Sequence, residues 1–299
     1  MCASTKLPPW ARRDVVGYIF DVAKKRGGEA RIVGGAVREW LAGRDVSEID
    51  MAANLPIQVI ASELRQNRRV KVINTGLDHG TVTVVCGNDA IELTQTRLDD
   101  ESDGRHALVL FQDDWTQDAA RRDFTINAIY LDAFGQVFDP LNGQADLVAQ
   151  RLRFVGKAVD RVQEDALRML RYCRFSIDYS DGRYDSDAIH ALTSFADLAS
   201  SLSGERVAQE LSKILSHEHC AAAIDLLHQT GLDKTSIGCD LVFKVMPPSP
   251  LDLRFVTADF GWLVVLAAII PQEDVTTVLM RLRLSRANQK FCAQLAASN

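Results

Sequence analysis

The sequence predicts an α+β chain, with a mixed head over residues 1–150 followed by helices alone. Three observations carry that division. Short β-type runs broken by Gly and Asn turns fall between Arg31 and Thr96. From Asp146 onward the apolar spacing is helical. The chain has 299 residues, enough for two domains, with 47% hydrophobic and 25% charged residues, as in ordinary globular proteins. No flexible linker marks the boundary near 150, and Pro247-Pro248-Ser249-Pro250 is the strong later break.

Ala11 to Lys25 reads as an amphipathic helix, with Val15, Ile19, Phe20 and Val22 on its apolar side. Arg31-Ile32-Val33 is a short strand. Gly34-Gly35 breaks it and lets backbone N–H groups approach a ligand with no Cβ in the way. Ala36 to Leu41 forms a helix that Gly43 stops. Asp45 to Met51 reads as the second strand, where i and i+2 share a face. Glu48 and Asp50 then stand side by side while Ile49 points inward. Two acids beside a glycine turn suit Mg²⁺ and a nucleoside triphosphate. Taken alone they suit a solvated strand end as well.

Gln58 to Asn67 reads as a helix, and Val70 to Asn74, Gly80 to Cys86 and Ala90 to Thr96 as strands. In the last, Glu92 and Thr94 share a face, so Glu92 can bring a third carboxylate towards the first two. Arg97 to His106 is charged, contains Gly and reads as a loop. A helix is expected around Asp114 to Ala128, which contains Arg121-Arg122-Asp123. Two cations and an acid suit a triphosphate and its ribose, although a capping Asp at a helix start fits equally.

Glu164 to Phe175 reads as one helix, with Glu164, Arg168, Arg171 and Arg174 along one side and Asp165 at its margin. Asp and Arg offer directed acceptors and donors for a nucleobase edge, and spare arginines hold phosphates. A solvated, salt-bridged face has the same composition. Residues 151–175 hold seven Lys/Arg against three Asp/Glu, a basic patch in a chain of net charge −6.

The six cysteines show no C-x-x-C pair, which disfavours a zinc site or a disulfide scaffold and fits a reducing compartment. No secretory signal pattern opens the chain, so a cytoplasmic protein is expected. The apolar run Trp262 to Ile270 is too short to span a bilayer and reads as a buried helix. No membrane partner is expected. Oligomeric state is not legible.

In this order, RIVGGAVREWLAGRDVSEIDMAA, TGLDHGTVTVV, IELTQTR, SDGRHA, RRDFTINAIY, FDPLNGQADL, EDALRMLRYCRF and LSGERVAQEL closely resemble the class II tRNA nucleotidyltransferase and bacterial poly(A) polymerase family. The resemblance implies a polymerase-β-like nucleotidyltransferase head over 1–150. It also implies an all-helical neck over 151–215 and a partial helical body over 216–299. It makes Glu48 and Asp50 the metal-binding pair for Mg²⁺, with Glu92 a third catalytic acid. It places Gly34, Gly35 and Arg38 at the incoming nucleotide, and Arg122 and Asp123 at its ribose and triphosphate. Asp165 and Arg168 match the family's template for the base of CTP or ATP, and Arg171 and Arg174 match further nucleotide-contacting arginines. The loop around Ser102-Asp103-Gly104-Arg105 matches a mobile element needed for adding A after two Cs. TGLDHGTVTVV is similar to the CCA-adding branch, so the expected reaction adds CMP, CMP and AMP to tRNA 3′ ends from CTP and ATP. A-adding, CC-adding and poly(A)-making relatives, or an RNA-binding relative with impaired catalysis, remain alternatives. The family's metal pair is Asp-x-Asp, whereas Glu48 supplies the first acid here.

Overall fold

The computed structural model of the protein describes residues 7–76, 80–96, 115–241 and 258–297. The chain divides into two compact units, Met1–Ala149 and Gln150–Asn299. The expected loop over 97–106 and the break at 247–250 lie outside the described residues.

The first unit is built on a seven-stranded sheet. Its strands are β1 (Ala30–Val33), β2 (Asp50–Ala53), β3 (Val70–Gly76), β4 (Thr81–Cys86), β5 (Asp89–Gln95), β6 (Tyr130–Leu131) and β7 (Val137–Phe138). The order is β3-β4-β5-β2-β1-β6-β7. Only β2 and β5 pair in parallel; the other pairs are antiparallel. Helices α1 (Asp14–Lys25), α2 (Gly35–Leu41) and α3 (Ile57–Leu64) precede β3, and α4 (Trp115–Ala120) and α5 (Gly143–Val148) follow β5.

Alternation explains the core. Along β5, Ile91 and Leu93 are buried and Glu92 is exposed. Ile91, Leu93, Ile32, Met51, Val82 and Val84 share one apolar cluster with Val15, Val16 and Ile19 of α1 and Ile57, Ile60 and Leu64 of α3. Each such aliphatic side chain, fully buried, contributes about 1.5–3 kcal/mol. With that face apolar, Asp50 and Glu92 fall on the other.

Two helical expectations and one strand expectation in this unit are corrected. The strand read over Asp45 to Met51 begins only at Asp50. Its partner β1 ends at Val33, opposite Asp50, where the Gly34 turn takes the chain away. Glu48 therefore stands in the exposed segment before the strand. The helix expected around Asp114 to Ala128 is the short α4 and a separate 3₁₀ turn, Thr125–Asn127. Phe124 is extended between them (φ −122°, ψ 149°) and fully buried. The first helix starts at Asp14 rather than Ala11, after a 3₁₀ turn at Pro9–Ala11.

The second unit is helical: α6 (Ala158–Glu164), α7 (Leu167–Tyr179), α8 (Ser186–Ser194), α9 (Gly204–Leu215), α10 (Cys220–Gln229), α11 (Ala258–Ile269), α12 (Val275–Arg281) and α13 (Arg286–Ala296). Residues 150–157 are not helical, with Gln150 at φ 48° and Gly156 at φ 67°. Helix α7 packs against α9 and α10 and buries Met169, Leu170, Tyr172 and Cys173. Ser203 caps α9 and Asp185 caps α8, each accepting from a backbone N–H three residues on. Gly204 has a packing reason, because a Cβ there would lie 1.9 Å from the carbonyl oxygen of Arg281. Helix α11 buries Leu263, Val265 and Leu266 completely, in keeping with the expected core helix. No single helix among the described residues is long and apolar enough to cross a membrane.

Candidate active site

Gly34 adopts φ 74° and ψ −127°, a conformation glycine alone takes without strain. Its carbonyl accepts from the backbone N–H of Arg38 at 3.0 Å, starting α2 directly from β1. Arg38 is buried, and its guanidinium donates to Asn127 Oδ1 and, at 2.7 Å, to Glu39 Oε1. The glycine turn, α2 and the Thr125–Asn127 turn are thereby fastened together.

The parallel pairing of β2 and β5 sets Asp50 opposite Glu92, while the antiparallel pairing sets Asp50 opposite Val33. Asp50 is solvent-accessible at the strand end, yet its carboxyl is crowded by protein. That crowding, then Glu92, then Glu48, pushes it up to about 6, with Arg122 pulling the other way. Glu48 thus acts on Asp50 even though it lies outside the strand. The three acids do not gather tightly. Among the described residues, the trio of possible ligand atoms within 4.8 Å of one another is His228, Asp233 and Asp240 in the second unit. There the Lys234 ammonium stands 3.0 Å from Asp240 and already supplies a cation. Around Asp50 the charges of Glu92 and Glu48 outweigh the opposing Arg122, a local excess of negative charge that fits a divalent cation.

Arg122 is set by residues that sequence reasoning passed over. Asp118 on α4 is fully buried, and its Oδ2 accepts from Arg122 Nη2 at 3.0 Å and from Tyr130 Oη at 2.7 Å. Its Oδ1 accepts from Arg121 Nε at 2.8 Å. Tyr130 Oη also accepts from Arg122 Nε at 3.1 Å. A Cβ on Gly34 would lie 3.8 Å from Arg122 Nη1, so the guanidinium overhangs the glycine turn. Asp123 Oδ1 accepts from the Phe124 N–H and from Asn127 Nδ2, both at 2.9 Å, closing the turn. The one signal for Asp118 in the sequence was its position four residues before Arg122.

In the second unit the expected continuous helix over Glu164 to Phe175 is broken. Helix α6 ends at Glu164, Asp165 is extended (φ −148°, ψ 105°), and α7 starts at Leu167. Asp165 Oδ1 accepts from the Leu167 N–H at 3.1 Å, as a cap does, and Oδ2 accepts from Arg206 Nη2 at 2.8 Å. Arg168 donates to Glu164 at 2.6 Å and to the Arg161 carbonyl at 3.2 Å. Arg174 donates to the buried Glu210 at 2.6 Å, with Arg171 3.7 Å from the same carboxylate. A cavity of about 350 Å³ lies against this break, lined by Asp165, Ala166, Leu198, Leu202, Ser203 and Arg206 among others. The sequence offered no signal for Arg206 or Glu210 as partners, since both lie 36 or more residues from the side chains they hold. The loop around Ser102 to Arg105 lies outside the described residues.

Residues 30–153 match the family model described as the Poly A polymerase head domain. Residues 185–235 match the one described as a probable RNA and SrmB-binding site of polymerase A. The chain is 37% identical over 278 residues to the mouse mitochondrial CCA tRNA nucleotidyltransferase 1, covering 91% of this chain and 63% of that protein. It is 31% identical over 283 residues to the CCA-adding enzyme of Lactococcus lactis, covering 92% of this chain and 69% of the relative. A crystal structure of the Bacillus stearothermophilus CCA-adding enzyme in complex with CTP superposes with a TM-score of 0.78 at 27% identity, over 98% of this chain and 70% of that one. The chain spans under two thirds of the length of the mouse, zebrafish and human relatives. With a polymerase-β-like head and that extent of likeness, the chain belongs to the CCA-adding tRNA nucleotidyltransferase family.

Proposed function

We propose that this protein adds CMP, CMP and AMP, without a nucleic-acid template, to tRNA 3′ ends from CTP and ATP. The observation that carries the reading is the pairing of Asp50 with Glu92 beside the Gly34-Gly35 turn, with the Arg122 guanidinium over that turn and acting on Asp50. Acids, a turn free of Cβ atoms and a fixed arginine are what transfer of a nucleotidyl group requires.

Asp50 and Glu48 would hold Mg²⁺, with Glu92 adding charge beside Asp50. The metal would acidify the attacking 3′-hydroxyl and offset charge on the triphosphate. Arg122 binds phosphate oxygens as a planar fork. Arg38 and Asp123, both tied to Asn127, shape the side of the site next to α2. In the second unit, Asp165 and Arg168 read the base, and Arg171 and Arg174 orient the nucleotide. In this reading residues 1–150 act as catalytic head, 151–215 as neck and 216–299 as body. Action in the cytoplasm accompanies the proposal, although the mouse, zebrafish and human relatives are mitochondrial.

Incorporation of CTP and ATP into tRNA lacking its last one, two or three nucleotides tests the reaction. CCA completion on all three supports it. A alone, CC alone or a long A tail assigns another activity of the family, and no incorporation leaves an RNA-binding relative.

The metal is tested separately through pH. Asp50 holds its proton up to about 6 in the folded chain, against an ordinary value of 3.8. The folded state then binds more protons than the unfolded one between those values, so stability without metal falls as pH rises through them. A divalent cation displaces the proton, so its stabilisation should grow with pH through about 6. Thermal unfolding with and without Mg²⁺ at pH 5 and pH 8 checks this, with Asp50→Asn as control. A shift in Tm equal at both pH values, or retained in Asp50→Asn, places the ion elsewhere.

A further inference from the structure

We infer that Asp118, with Tyr130, is a positioning residue that fixes Arg122 for the triphosphate of the incoming nucleotide. The inference rests on the nucleotidyltransferase reading and deepens it. The carboxylate of Asp118 is wholly shut off from solvent, on a helix of six residues. A buried charge survives only if it is paired and hydrogen-bonded. Here every pairing runs to the same neighbourhood: Arg121, Arg122 and Tyr130. Burial alone would raise the carboxyl, but the Arg122 and Arg121 guanidiniums win and hold it below the ordinary range.

The division of Arg122's donors gives the pairing a purpose. Nε and Nη2 are taken by Asp118 and Tyr130. Nη1 is the nitrogen that faces the Gly34 turn. One edge of the fork is thus clamped while the other is presented where the chain has no Cβ. The clamp is itself located against the catalytic strand, because Tyr130 pairs with Val33, and Val33 with Asp50. Tyr130 is held in turn by its ring neighbours, Trp115 at 5.6 Å and Phe138 at 6.0 Å. An arginine fixed in this way loses little freedom when it binds an anion, which is the advantage of preorganisation.

The test compares a ligand with phosphates and one without. Asp118→Asn keeps the shape and removes the charge that orients the fork. KM for CTP is expected to rise about tenfold, with kcat changed much less, as for an interaction present in both ground and transition states. Binding of cytidine, measured as competitive inhibition, should stay within about twofold. Tyr130→Phe removes one hydroxyl, keeps the ring packing, and should move KM for CTP in the same direction by about threefold. Should Asp118→Asn fail to fold, Tyr130→Phe decides. An unchanged KM for CTP in the folded variants, or equal weakening of CTP and cytidine, overturns the inference. A wild-type chain that incorporates no nucleotide into tRNA overturns the reading beneath it instead.

Discussion

Asp50→Ala is expected to abolish nucleotide incorporation, by at least about 10³-fold, while leaving the fold intact or slightly firmer. Both halves follow from one observation. Protein crowding and the charges of Glu92 and Glu48 disfavour the ionised carboxylate, so the native chain carries Asp50 at a cost to its own stability. Removing it relieves that cost and, in the proposed reading, would deprive a metal ion of a ligand. The reading is checked by steady-state incorporation of CTP together with a thermal melt of the same preparation. Activity within tenfold of wild type sinks the assignment of Asp50. An unfolded variant shows instead that the carboxylate is structural. Glu48→Asp belongs to the same series. Glu48 precedes the strand and is exposed, so its longer side chain is not confined by sheet geometry. Asp there should keep or raise activity. A sharp loss would show that the site has adapted to the longer acid.

The sheet was legible because its rules are local. The alternation at Ile91, Glu92 and Leu93 set the acid on the face opposite the core, and Gly34 announced a turn that only glycine can make. What misled was the end of each element. Glu48 and Asp50 alternate as a strand would, but a strand lasts only while a partner pairs with it, and β1 stops at Val33. Likewise Glu164 to Phe175 has helical spacing throughout, and the break comes from hydrogen bonds that spacing does not encode. Asp165 caps the N-terminus of α7 and is held by Arg206, a residue 41 positions away. Asp118 was undervalued for the opposite reason. A carboxylate four residues before an arginine reads as a surface pair, and only burial makes it a clamp.

Arg168→Ala should lower kcat/KM for CTP and ATP by about 5- to 150-fold and relax discrimination against UTP and GTP. The broken helix changes the geometry behind this expectation but not its chemistry. Asp165 and Arg168 do not lie on one helical face; they flank the start of α7, with the Asp165 side chain turned to Leu167 N–H and Arg206. In the proposed reading, CTP and ATP offer an exocyclic amine from which Asp165 can accept, beside a ring nitrogen to which Arg168 can donate. UTP and GTP place a carbonyl and a ring N–H there, opposing both protein groups and leaving each unpaired, at about 1–3 kcal/mol apiece. Arg168 presently donates to Glu164, so meeting a base exchanges one charge-assisted hydrogen bond for another. Without the arginine, the correct bases lose a donor and the wrong ones lose an opponent. The plain alternative is that Arg168 and Glu164 form a surface pair and nothing more, worth under about 1 kcal/mol and without effect on selectivity. Measuring kcat/KM for all four triphosphates on Arg168→Ala separates the two. A ratio of CTP to UTP equal to that of the wild type means that this turn does not read the base, and a ratio that collapses towards one assigns Arg168 as a reader.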